Sequence, residues 1–161
     1  MPSMGSHQSA RMKSDTWLTP PKIIAALGRF DLDPCCPSSM PWRTADRCYS
    51  KATDGLKAQW FGRVWLNPPY SRDAVTWLRR MAAHGDGIAL VFARTETEWF
   101  FETVWDAATA VLFLKGRIHF HYENGDRAEA NAGAPSVLAA YGARNAKALR
   151  VSGIAGRYLG L

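Results

Sequence analysis

Residues 64–70 read VWLNPPY. Three apolar residues run straight into an asparagine, two prolines and a tyrosine. The apolar part reads as a short buried strand over Val64–Asn67. The prolines end it, because proline has no N–H for a ladder and fixes its own φ. Proline also forces the residue before it into extended backbone, so Asn67 and Pro68 keep little freedom. The Pro68 carbonyl and Asn67 Oδ1 can then face one point as acceptors, with the flat ring of Tyr70 beside them. Such a set suits a planar ligand with an exocyclic NH2, of which adenine is one. A plain strand-ending turn accounts for the prolines but not for the asparagine and tyrosine around them.

Around this stretch lie further apolar runs with strand composition: Phe30–Asp33, Gly87–Ala93 and Ala110–Leu114. Two more, Arg117–Tyr122 and Ser136–Gly142, flank a polar turn and are expected to pair as an antiparallel hairpin. Helices are expected over Thr19–Leu27, with a threonine cap and prolines in the first turn, and over Ser71–Ala83, with a serine cap. A third, over Thr95–Val104, carries a capping box from Thr95 to Glu98. Strands alternating with helices predict an α/β fold with a mostly parallel sheet, closed by the C-terminal antiparallel hairpin. Residues 34–63 are long for a loop and are expected to carry function or hide a short helix.

The chain has 161 residues, 47% hydrophobic and 21% charged, as a single soluble domain with a sizeable core would. No apolar run is long enough to cross a bilayer. Residues 1–13 read as a disordered leader without the apolar core of a signal peptide, which implies a cytoplasmic protein. The domain proper is expected over residues 14–143. The net charge of +6 is compatible with plain solubility and with a polyanionic partner, nucleic acid first. Residues 144–161 carry Arg144, Lys147, Arg150 and Arg157 and no acid, and read as a basic tail. Cys35, Cys36 and Cys48 lack metal-ligand spacing, so no metal is expected.

In a parallel α/β sheet, ligands bind beyond the carboxyl ends of the strands. Two strand ends carry unusual chemistry here: Asp33-Pro34-Cys35-Cys36 and Asn67-Pro68-Pro69-Tyr70. Asp33 reads equally as a ligand for a polar group and as the cap of the following turn.

The NPPY tetrapeptide resembles the catalytic motif of amino-group DNA methyltransferases. Around it, DTWLTPPKIIAAL (15–27), FDLDPCC (30–36), ATDGL (52–56), KGRIHF (115–120) and GAPSVLAAYG (133–142) resemble successive segments of the phage-type (Dam-like) DNA N6-adenine methyltransferases. The resemblance covers residues 15–142. It implies a Rossmann-like, S-adenosylmethionine-dependent methyltransferase sheet and methyl transfer to adenine N6 in DNA, in a phage- or prophage-encoded protein of a bacterial host. It implies catalytic roles for Asn67, Pro68, Pro69 and Tyr70. Cofactor contacts fall to Trp17, Thr19, Pro20, Asp33, Pro34, Cys35, Asp54, Leu56 and Asn67, and substrate contacts to Tyr70, Arg117 and Phe120. Phe120 reads equally as a core residue, and Trp17 as packing on the core. The family's glycine-rich turn after the first acid is missing, and small Cys35 and Ser38 stand in its place. The acid that holds the ribose is Asp46 or Asp54, with Asp54 favoured near the cofactor's adenine. The same motif occurs in RNA and protein-glutamine methyltransferases, and a non-catalytic nucleic-acid-binding relative is a third reading.

Overall fold

The computed structural model describes residues 17–129 and 131–161; the expected leader lies outside them. Seven strands form one sheet: β1 (Leu32–Asp33), β2 (Arg47–Cys48), β3 (Val64–Leu66), β4 (Gly87–Phe92), β5 (Ala110–Leu114), β6 (Ser136–Tyr141) and β7 (Gly156–Gly160), in the order β2-β1-β3-β4-β6-β5-β7. The ladders from β2 to β4 are parallel and those from β4 to β7 antiparallel. The helices are α1 (Pro21–Leu27), α2 (Ala74–His84), α3 (Glu98–Phe100, continued by a π-helical turn over Phe101–Trp105) and α4 (Ala143–Val151). No helix among the described residues is long and apolar enough to cross a membrane.

Side chains of successive strand residues leave the sheet on opposite faces, and the core divides accordingly. Trp65, Ile88, Leu90, Leu112 and Leu138 pack with Ile23, Leu27 and Leu149 of α1 and α4. Leu66, Val91, Val111, Val137 and Tyr141 pack with Leu78 and Met81 of α2 and with Phe100 and Val104. The sheet is therefore the middle of three layers. Each fully buried aliphatic side chain contributes roughly 1.5–3 kcal/mol, so the doubly covered central strands set the frame for everything at their ends.

Four expectations are corrected. Arg117–Tyr122 is not a strand; within it only His121 forms bridges, to Leu18 and Arg127. Ser136–Tyr141 instead lies between β4 and β5, where all six of its residues are buried; a strand apolar on both faces needs cover and partners on every side. Residues 144–161 do not trail as a tail. They form most of α4, which buries Ala146 and Leu149, and β7, which pairs along β5. The expected caps also move. Thr97, not Thr95, caps α3 by accepting from the Phe100 N–H, Asp73 takes the N-cap position of α2, and α1 starts after Pro20 with no side-chain cap. The long stretch 34–63 does hide structure: β2 and a 3-10 turn over Lys51–Thr53.

Candidate active site

β1 and β3 are parallel neighbours, with Leu32 beside Val64, so their carboxyl ends share one edge of the sheet. A pocket of about 480 Å³ opens there. Of the residues singled out from sequence, it brings together Trp17, Thr19, Asp33, Pro34, Cys35, Ser38, Asp54, Asn67, Pro68, Pro69 and Tyr70. Pro20 and Leu56 do not line it. Pro20 starts α1, and Leu56 packs against the core on the α2 side. Arg117 is exposed and donates to the Ala132 carbonyl at 3.1 Å. Phe120 is a core residue, 5% exposed, that meets Tyr70 edge-on at 6.0 Å. Asp46 is remote from the pocket, held by Arg29 at 2.7 Å.

The β1 tip is a closed turn. Asp33 Oδ1 accepts from the Cys35 N–H at 3.1 Å and Oδ2 from the Thr44 hydroxyl at 2.5 Å. Both bonds favour the charged form, but burial outweighs them and pushes the carboxyl up to about 6. Capping is thus what Asp33 does within the protein, while the residue still borders the pocket. The Cys35 thiol donates to the Asn67 carbonyl at 3.1 Å, tying the two tips together. Burial and the Asp33 carboxyl hold that thiol well above its ordinary range, so it remains a neutral donor.

The β3 tip carries unsatisfied acceptors. Asn67 Nδ2 donates to the Trp17 carbonyl at 2.9 Å and to Thr19 Oγ1 at 3.3 Å. Asn67 Oδ1 is buried and has no partner among the described residues, and the Tyr70 hydroxyl is in the same state. An unpaired buried polar atom costs about 1–3 kcal/mol, and native proteins keep few of them outside functional sites. Burial, then Cys35, raises the Tyr70 phenol, so it stays protonated. One face of the Tyr70 ring stacks on Phe92 at 4.4 Å and 19°.

Several site residues escaped sequence reasoning. Phe92 sits at the end of β4 as a strand residue like any other. Thr44 and Trp77 line the pocket from elements with no motif, and so does Glu123. Gly55 is the most informative. A Cβ there would lie 1.8 Å from the Pro34 carbonyl oxygen, so only glycine lets residues 54–55 press against the β1 tip. This close approach is between two stretches of the chain, residues 54–55 and Pro34, at the rim of the pocket. Its signal was present in ATDGL, where the aspartate drew the attention. Asp54 itself takes the left-handed region at φ 52°, which aspartate tolerates, and its carboxylate pairs with Lys57 at 3.0 Å.

A sequence profile of the family described as DNA N-6-adenine-methyltransferase (Dam) matches residues 6–150. A curated protein of Escherichia phage T1, named DNA N-6-adenine-methyltransferase, is 35% identical over 107 residues, 60% of this chain and 44% of that protein. The chain thus spans less than half the length of that relative. No solved structure matches the chain.

Proposed function

The chain belongs to the DNA N-6-adenine-methyltransferase (Dam) family, and from that membership and the β3 tip we propose that it methylates adenine N6 in DNA, using S-adenosylmethionine. The observation that carries the reading is the buried, unpartnered Asn67 Oδ1 in the NPPY turn. It is an acceptor for which no described residue supplies a donor. The mixed sheet is read as Rossmann-like, with its ligand at the carboxyl ends of the strands, and the site of action as the cytoplasm of a bacterial host.

The pocket suits the cofactor. Its volume falls within the roughly 300–1,000 Å³ of small-molecule sites. Gly55, which lines the pocket, lets its backbone pack directly against the Pro34 carbonyl, where a Cβ would clash. Asp33 and Asp54 offer carboxyls to the amino group and hydroxyls, and Trp17 and Trp77 offer apolar walls. When bound, S-adenosylmethionine supplies an electrophilic methyl group on a sulfonium.

The chain's own task is to make a poor nucleophile react. The N6 lone pair of adenine is delocalised into the ring. Asn67 Oδ1 and the Pro68 carbonyl accept the two N6–H groups and draw the nitrogen toward tetrahedral geometry, which localises the lone pair. Asparagine is neutral near pH 7 and is no base, so the two acceptors work by position and electrostatics. An adenine within a duplex must leave the stack to reach them. The face of Tyr70 turned away from Phe92 then receives the ring. The net charge of +6 favours association with the phosphate backbone.

The test is to incubate the protein with methyl-labelled cofactor and DNA, then digest the product and identify the modified nucleoside. N6-methyldeoxyadenosine is expected, with Asn67→Ala slower by about 10²–10³-fold. Label entering only RNA or protein, or none entering anything, overturns this reading.

A further inference from the structure

An asparagine that serves as an acceptor faces a problem a carboxylate does not. A half-turn of its amide replaces the oxygen with an NH2, which would repel the amine it must hold. Something has to choose the orientation.

In this protein the choice comes from two residues far away in sequence. The Trp17 carbonyl can only accept, so the Asn67 nitrogen must face it, at 2.9 Å. Thr19 Oγ1 takes the second N–H at 3.3 Å. Both amide hydrogens are then used, and the oxygen is left with no partner among the described residues. Turning the amide over would set Oδ1 against the Trp17 carbonyl, acceptor against acceptor. Thr19 is 2% exposed and does not cap α1, although it stands just before that helix; its hydroxyl is given to Asn67 instead.

The residues that do this are themselves held. Leu18 exchanges two backbone hydrogen bonds with His121, at 2.9 and 3.0 Å, and Trp42 Nε1 donates to the Thr19 carbonyl at 3.2 Å. Pro20 and Pro21 follow and remove backbone freedom.

We propose that residues 17–19 form a positioning clamp, in which the Trp17 carbonyl and the Thr19 hydroxyl fix the Asn67 amide with its oxygen presented to the target amine. Thr19 is on this account a positioning residue for methyl transfer, beyond lining the cofactor pocket. The proposal rests on the methyl-transfer reading for its kinetic consequence but not for its geometry.

The experiment compares wild type, Thr19→Val, which keeps the shape and loses the acceptor, and Thr19→Ser, which keeps the acceptor. Kinetics of DNA methylation, calorimetric binding of S-adenosylmethionine and the ¹H–¹⁵N signals of the Asn67 side-chain amide are measured on each, with Asn67→Asp assigning those signals. Thr19→Val is expected to lower kcat about tenfold, beyond any change in cofactor affinity, and to shift one Nδ2 proton. Thr19→Ser is expected to restore both. An unchanged kcat in Thr19→Val overturns the clamp, and so does a loss confined to cofactor affinity, or one that serine fails to rescue. If wild type transfers no methyl group, the functional reading fails and the amide signals decide the clamp alone: unshifted Nδ2 protons in Thr19→Val overturn it.

Discussion

Two asparagines stand at opposite edges of the same sheet. Asn145, at the edge where β3 and β4 begin, is fully satisfied. Its oxygen accepts from Arg63 Nε at 2.6 Å, and its nitrogen donates to Asp86 at 2.8 Å and to the Tyr141 carbonyl at 2.7 Å. Arg144 closes on Asp86, and the Arg63 guanidinium lies 4.2 Å over the Phe30 ring. Asn67, where β3 ends, has its nitrogen bonded twice and its oxygen bonded to no described residue. One edge turns its polar groups to holding the fold, although the buried Arg63 Nη2 has no partner among the described residues. The other leaves Asn67 Oδ1 and the Tyr70 hydroxyl buried without partners among the described residues, at a cost in stability that the first edge and the core offset. Substitutions at the two edges should accordingly have crossed effects.

The largest contrast is between these two residues. Asn145→Ala leaves the buried Arg63 without its side-chain partner, and is expected to lower the unfolding free energy by about 3–4 kcal/mol with kcat little changed. Asn67→Ala is expected to slow methylation by about 10²–10³-fold while costing less than about 1.5 kcal/mol. Urea denaturation of both variants beside the methylation assay measures the crossing; equal losses of stability would break it.

Next comes Asp33. Its carboxyl is raised from 3.8 to about 6 in the fold, chiefly by burial. The stability it contributes is therefore fully present below pH 3.8 and is lost as the pH rises through 6. Between pH 4.5 and 7.5 this group alone should cost the wild type about 2 kcal/mol. Asp33→Asn should show a flatter dependence by that amount in urea melts across the same range. Parallel slopes would mean that the Thr44 and Cys35 hydrogen bonds balance burial.

The smallest effect sharpens the comparison with a matched pair of tyrosines. The Tyr141 hydroxyl, on the satisfied edge, donates to the Thr103 carbonyl at 2.7 Å. Tyr141→Phe should cost about 1–1.5 kcal/mol. The buried Tyr70 hydroxyl has no partner among the described residues, so Tyr70→Phe should lie within about 0.5 kcal/mol of wild type or above it. Thermal melts of the two variants rank them, and a larger loss for Tyr70→Phe would reverse the assignment of the edges.

Much of the active edge was legible in the chain. Strands at 64–66, 87–92, 110–114 and 136–141 follow from apolar runs that only a doubly covered sheet can bury. The stiff acceptor turn at Asn67-Pro68-Pro69 follows from proline stereochemistry, a property of neighbours in the chain. Asp33 read equally as cap and as ligand, because a carboxylate before a proline is compatible with both; its bonds to Cys35 and Thr44 settle the first and leave the second to binding. The satisfied edge was not legible at all. Asn145 and Arg144 sit in residues that look like a basic tail, and only the pairing of β7 with β5 and the packing of Leu149 draw them onto the sheet.

The sequence by itself determined the strands at 64–66, 87–92, 110–114 and 136–141 and the rigid turn that ends the first of them, because apolar runs and proline geometry act over a few residues. Only the tertiary structure decided which way that turn's asparagine faces, since its partners lie 48 and 50 residues away. It also decided that β6 inserts between β4 and β5, and that Gly55 gives the β1 tip its close contact. A hydrogen bond or a van der Waals contact across such a distance depends on where folded elements bring two groups, and no local pattern of residues encodes that.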